Sequence, residues 1–167
     1  MTAYLGPAWR RLTEEHRSLG EKVCTLEAKI RAAGVDRGGH GSYPDRLLLD
    51  DLHRDAAVLR AELDLHSMWE TDDLFPRLME LFCTPEGHII VTSLWMLEKE
   101  HELADEFFDS FFQGVSGLKA GGRGAVLSRV LEDLMQAIRL VREHLEAEEE
   151  LLLPLMQESL QLAGERG

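Results

Sequence analysis

Four stretches of this chain space apolar residues three and four apart, and each run contains one or two residues that a hydrophobic seam should exclude. The first reads Leu12, His16, Leu19, Val23, Leu26, Ile30. The second reads Leu48, Leu52, Ala56, Leu59, Leu63, His66, Glu70, Leu74. The third reads Ile90, Leu94, Leu97, His101, Asp105, Phe108, Phe112, and the fourth Val130, Leu134, Ala137, Val141, His144, Glu148, Leu151, Leu155. A 3–4 spacing marks the buried face of an amphipathic helix. Gly and Pro punctuation bounds the predicted helices at about Gly6–Ala33, Asp45–Phe82, Thr84–Gln113 and Ala125–Leu162. Pro7 and Gly34 stand at the favoured start and end positions of the first, and Thr84-Pro85 reads as an N-cap and first-turn proline of the third. Gly-rich loops are expected over Gly38–Pro44 and Gly114–Gly124. Helices of such length are about 40 Å long at ~1.5 Å per residue. Joined by short loops, they pack naturally as an all-α, up-down-up-down antiparallel four-helix bundle, with residues 1–167 forming one domain.

The polar interruptions follow a pattern that occurs twice. His66 is followed by Glu70 and then Leu74-Phe75-Pro76; His144 is followed by Glu148 and then Leu152-Leu153-Pro154. Residues i and i+4 share a helix face, so each copy aims an imidazole and a carboxylate in one direction. Two lone histidines, His16 and His101, complete one interruption per helix, and each follows a glutamate, Glu15 or Glu100. Burying a carboxylate without compensation is very costly. A pair of bound cations would neutralise the carboxylates and use the imidazole nitrogens. A mixed imidazole and carboxylate set suits iron, manganese or zinc better than calcium or magnesium. His16, His66, Glu70, His101, His144 and Glu148 are therefore the candidate metal ligands, and Asp105 is a candidate extra ligand. Glu15, Glu62, Glu98 and Glu100 are placed to hold a ligand imidazole from behind. Trp69 is expected in the core, with a place beside a ligand pocket as the alternative. His40, His53 and His88 fall off the seams and are expected on the solvated surface.

The net charge of −13 argues against nucleic-acid or anionic-membrane partners. Cys24 and Cys83 have no metal-binding or redox spacing and are expected as buried thiols. No signal pattern or long apolar run is present, so a cytoplasmic location is the default expectation.

With these residues in place the chain resembles the hemerythrin-like, or HHE cation-binding, family. The matching elements are His16 in Glu14-Glu15-His16, His101 in Lys99-Glu100-His101, and both His-x-x-x-Glu motifs with their Leu-apolar-Pro sequels. The resemblance covers all four helices. It implies a non-haem di-iron centre with His16, His66, His101 and His144 as terminal ligands and Glu70 and Glu148 as bridges. It also implies a small diatomic or peroxide ligand. Family members include oxygen carriers, sensors of oxygen or iron, and proteins of nitric-oxide stress and iron–sulfur repair. The chain departs from the oxygen carriers at Asp105, where their third helix carries a second histidine. This places the expected open coordination position on the His101/His144 side. The expected function is binding or sensing of O2, NO or peroxide. The enzymatic alternative is scavenging of peroxide or nitric oxide, or repair of iron–sulfur centres. A ferritin-like site needs Glu-x-x-His on two helices, and only Glu98–His101 fits. The zinc-protease motif lacks its second histidine. A metal-free helical interaction module explains the seams but leaves their polar members without partners.

Overall fold

The computed structural model describes residues 2–35, 46–81, 88–121 and 127–164. Helix α1 spans Thr2–Val35, α2 Arg46–Trp69, α3 Phe75–Leu81, α4 His88–Lys119 and α5 Leu127–Gly164. A π-helical turn, Glu70–Leu74, joins α2 to α3, so these two form one rod. The four rods make an all-α four-helix bundle. Around it α1 touches α2, α2 touches α4, α4 touches α5, and α5 closes onto α1. No helix among the described residues is long and apolar enough to cross a membrane.

The apolar seams meet inside, as their spacing requires. In α2 the buried series begins at Leu49, with Leu48 half-buried, and in α4 Phe111 is buried where Phe112 is only half-buried. These one-residue offsets follow from seams that continue 49, 52, 56, 59, 63 and 108, 111, 115. The core falls into two clusters. The larger contains Leu19 to Ile30 of α1, Leu49 to Leu63 of α2, Ala104 to Val115 of α4 and Val130 to Leu145 of α5. The smaller contains Ala8 and Leu12, Trp69 to Leu78, Leu94 and Leu97, and Leu152. On every rod the polar interruption lies where one cluster hands over to the other, so the candidate ligands form a polar layer between two dry ones.

Charged groups tie neighbouring rods outside the core. Lys29 of α1 binds Asp51 and, at 2.6 Å, Asp55 of α2. Arg142 of α5 reaches Glu27 of α1 at 2.5 Å, and Lys119 of α4 reaches Asp50 of α2 at 2.5 Å. Pairs at the bundle surface are screened by the water that still reaches them, so they refine the register more than they stabilise the fold.

Several features differ from expectation. The helix α4 runs on through Gly114 to Lys119, and the turn comes at Ala120-Gly121, where Gly121 has φ 71°. Gly114 sits where α5 comes close: a Cβ there would stand 2.6 Å from Val130 Cγ2. The residue thus serves helix packing, which its membership of a Gly-rich segment disguised. Cys24 is exposed, because it lies one position past the buried Val23 of the α1 seam. His53 is half-buried and packs edge-on against Phe112, with ring centroids 5.0 Å apart. The expected 38–44 loop, His40, Cys83 and the Thr84-Pro85 cap lie outside the described residues, as does the side chain of His88.

The glycines supply a test. Gly114→Ala gains helix propensity of about 1 kcal/mol but must displace a stiff β-branched neighbour, and overpacking costs about 1–3 kcal/mol. Net destabilisation of about 1 kcal/mol is expected. Gly20→Ala, with nothing within 4 Å of the new Cβ, is expected to stabilise by about 0.5–1 kcal/mol. Urea unfolding of the two variants checks the opposite signs.

Candidate metal centre

All six predicted ligands are buried in the polar layer. His16 is 4% exposed, His66 1%, His101 8% and His144 1%, while Glu70 and Glu148 are completely enclosed. Their inward atoms fall into two groups that share Glu70. One group is His16, His66, Glu70 and Glu148; the other is Glu70, His101 and His144. Within each group the donor atoms lie within 4.8 Å of one another.

The carboxylates lie between the imidazoles of both halves of the chain. Glu70 Oε1 is 2.9 Å from His66 Nε2, and its Oε2 is 3.8 Å from His101 Nε2. Glu148 Oε2 is 3.0 Å from His16 Nε2 and 3.6 Å from both His66 Nε2 and His144 Nε2. Of these, only the His16–Glu148 approach is a hydrogen bond; those at 3.6 and 3.8 Å are too long for one, and the His66–Glu70 approach is poorly aligned. The Nε2 atoms of His66, His101 and His144, both oxygens of Glu70 and Oε1 of Glu148 are buried with no hydrogen-bond partner. Orphaned buried groups of this kind are rare and costly. These nitrogens and oxygens converge, and together they make a donor set for cations.

Without a metal the layer balances its charge with protons. Burial disfavours charge on His66, but the carboxylates of Glu148, Glu15 and Glu70 outweigh it and raise its pKa to about 11. Burial, reinforced by the charge of Glu148, pushes Glu70 well above the carboxylate range. Burial acts in the same direction on Glu148, but the imidazoles of His16 and His66 hold it well below that range. His101 drops to about 3 through burial and the proximity of His144 and His66.

Each imidazole is also held from behind. Glu149 Oε1 lies 3.1 Å from His16 Nδ1, and Glu15 Oε2 lies 2.8 Å from His66 Nδ1. Ser67 Oγ lies 2.8 Å from His101 Nδ1, and Glu100 Oε2 lies 3.2 Å from His144 Nδ1. In every case the holder comes from the preceding rod around the bundle: α5 holds α1, α1 holds α2, α2 holds α4 and α4 holds α5. Occupying Nδ1 fixes the ring and leaves Nε2 directed inward, the arrangement that metal-binding histidines use. Arg11 in turn binds the other oxygen of Glu15 at 2.6 Å.

Glu15 and Glu100 thus take the holding positions expected of them. Glu62 does not; it pairs with Lys22 at 2.8 Å and accepts a hydrogen bond from Ser18. Glu98 holds none of the four rings. Glu149 and Ser67 were missed, although each directly follows a candidate ligand. Asp105 joins neither group. It forms an ion pair with Arg60 of α2 at 3.0 Å, although its buried Oδ1 has no hydrogen-bond partner, while the same guanidinium hydrogen-bonds to Asp109 along the α2–α4 edge. Trp69 packs in the smaller cluster, where the Arg11 guanidinium lies 4.2 Å from its ring centroid. Asp105→Ala is accordingly expected to leave metal content and the metal's optical spectrum unchanged; a lost band would return Asp105 to the ligand set.

The π turn distinguishes the halves. It begins at Glu70, closed by the Phe75 N–H bonding to the Glu70 carbonyl, whereas α5 remains α-helical through Glu148. The downstream Pro76 lacks a backbone donor, yet Pro154 at the matching place interrupts nothing. Proline alone is therefore not the cause.

The family profile described as Hemerythrin HHE cation binding domain matches residues 8–156. The chain belongs to this family. The match includes every member of the polar layer and all four holders, so the family's cation-binding character and the buried donor set coincide. Comparisons with curated proteins and with solved structures give no match.

Proposed function

We propose that the chain binds two iron ions in its polar layer and uses them to bind or sense O2, nitric oxide or peroxide. The observation that carries this reading is the convergence of partnerless Nε2 and carboxylate atoms in two groups sharing Glu70. One ion would be held by His16, His66, Glu70 and Glu148, and the other by Glu70, His101 and His144. Bound iron would supply a redox-active centre with coordination positions for a small exogenous ligand. The residues around it do the rest. Glu149, Glu15, Ser67 and Glu100 hold the rings in place. The two apolar clusters exclude bulk water above and below the layer. Two lateral cavities, of about 250 and 230 Å³, reach His16 beside Glu149 and His66 beside Glu15. They meet these rings on the side of their holders, so solvent reaches the outer carboxylates.

The enzymatic reading is favoured by one feature: the group of Glu70, His101 and His144 has three members against four, with Glu148 reaching only its His144 side at 3.6 Å. Such a set leaves more room for a reacting molecule than the group of four. Metal analysis with optical spectra, before and after azide, oxygen or nitric oxide, tests the primary reading. Two irons per chain and a near-ultraviolet charge-transfer band that shifts with ligand are expected. A protein without iron and without the band would be a metal-free helical module. Catalytic turnover of peroxide or nitric oxide by the loaded protein would make it an enzyme.

A further inference from the structure

Three of the four inward-facing imidazoles have a carboxylate behind them; His101 has a hydroxyl. With Nε2 directed to a metal, Nδ1 carries the proton and donates it outward. A hydrogen bond to an ionised acceptor is roughly twice as strong as one to a neutral group. The carboxylate holders therefore make His16, His66 and His144 stronger electron donors than His101. The difference is built into the chain's internal repeat. In α5 the holder is Glu149, which follows Glu148. The matching residue of α2 is Thr71, which follows Glu70 inside the π turn and is exposed. The holding role passes back to Ser67, whose own counterpart in α5, Leu145, is buried in the larger apolar cluster.

We propose that Ser67 is a positioning residue that makes the two metal positions unequal, so that the group of four fills first and the group of three, carrying His101, fills second and more weakly. Two independent features act in the same direction: one fewer side-chain donor in the second group, and a neutral acceptor behind His101. The inference rests on the two-metal reading and adds to it an order of loading and the residue that tunes it. Ser67 meets the outer nitrogen of the imidazole and belongs to neither donor group. It is half-buried at the edge of the layer, so exchange there leaves both apolar clusters intact.

The test is a cobalt(II) titration of the metal-free full chain, followed by the visible absorption of the bound ion. Two steps are expected for the unaltered protein. Ser67→Ala and Ser67→Val should weaken the second step by roughly 10–100-fold, the range typical of lost outer partners, and shift only the second cobalt's band. Ser67→Thr, the same shape as Val but with a hydroxyl, should restore both the affinity and the band. Glu149→Gln should weaken the first step instead. Equal effects of the Thr and Val variants, or equal weakening of both steps by Ser67→Ala, would overturn the role of Ser67. An unaltered protein that takes up no cobalt would overturn the two-metal reading itself.

Discussion

Glu70→Gln protein should lose both metals, whereas His101→Ala should lose one. Glu70 is the residue common to the two donor groups, while His101 belongs to the second alone. Even a partner standing behind a ligand is worth about 10–100-fold in affinity, so replacing the shared anionic ligand should cost more than about 100-fold at each position. Glutamine keeps the shape of the enclosed side chain. It also mimics the protonated form that burial and the Glu148 charge impose on Glu70 without a metal. The metal-free variant should therefore unfold within about 1 kcal/mol of the metal-free parent, inside the usual range for a benign exchange. Metal analysis after dialysis, alongside urea unfolding, separates lost binding from lost folding. Retention of one full equivalent of metal by Glu70→Gln would show that Glu70 does not bridge the two groups.

Removing the metals should lower thermal stability by a large amount. A ligand that binds only the folded state stabilises it by about 4 kcal/mol when present at a thousand times its dissociation constant. In a chain of this size, 1 kcal/mol moves the melting temperature by about 2–4 °C. Each ion should thus contribute about 8–16 °C. The physical source is the layer itself: ions would give partners to buried nitrogens and oxygens that otherwise have none. A scan with and without chelator measures the difference. Glu70→Gln should be insensitive to the chelator, and an equal melting temperature for loaded and stripped parent protein would contradict the proposed site.

The bundle and the six inward residues were legible because both are matters of periodicity. A histidine or glutamate at a seam position is buried by the same geometry that buries leucine. What surrounds that layer depends on which flank of each helix meets which neighbour, and a single-helix period does not contain that information. Glu15 and Glu100 were accessible through their repeated place before a histidine. Ser67 and Glu149 follow a ligand instead, at unmatched places in the repeat, and Leu145 and Thr71 occupy the corresponding positions. Asp105 illustrates the same limit. Its spacing put it on the seam, and Arg60, the charge that pairs with it, comes from the next helix. Gly114 has the sequence context of punctuation but records the close approach of α5. The π turn carries Thr71-Asp72-Asp73 where its regular counterpart has the better helix formers Glu149-Glu150-Leu151, but weaker helix propensity does not by itself specify a π turn.

The ring of holders also distinguishes this bundle from its mirror arrangement. Four helices of alternating direction can be laid out turning to the left or to the right. The neighbours of each helix remain the same, and the apolar seams meet equally well in either arrangement. The flank that each helix presents to a given neighbour is exchanged. In the opposite turn Glu15 would face α5 instead of His66, Glu100 would face away from His144, and Ser67 and Glu149 would lose His101 and His16. All four imidazoles would lose their outer partners at once, a penalty of about 1 kcal/mol or more for each buried ring nitrogen left without one. Hydrophobic burial alone leaves the sense of rotation nearly degenerate. The same four contacts that orient the metal-facing rings thus specify the handedness of the chain's path.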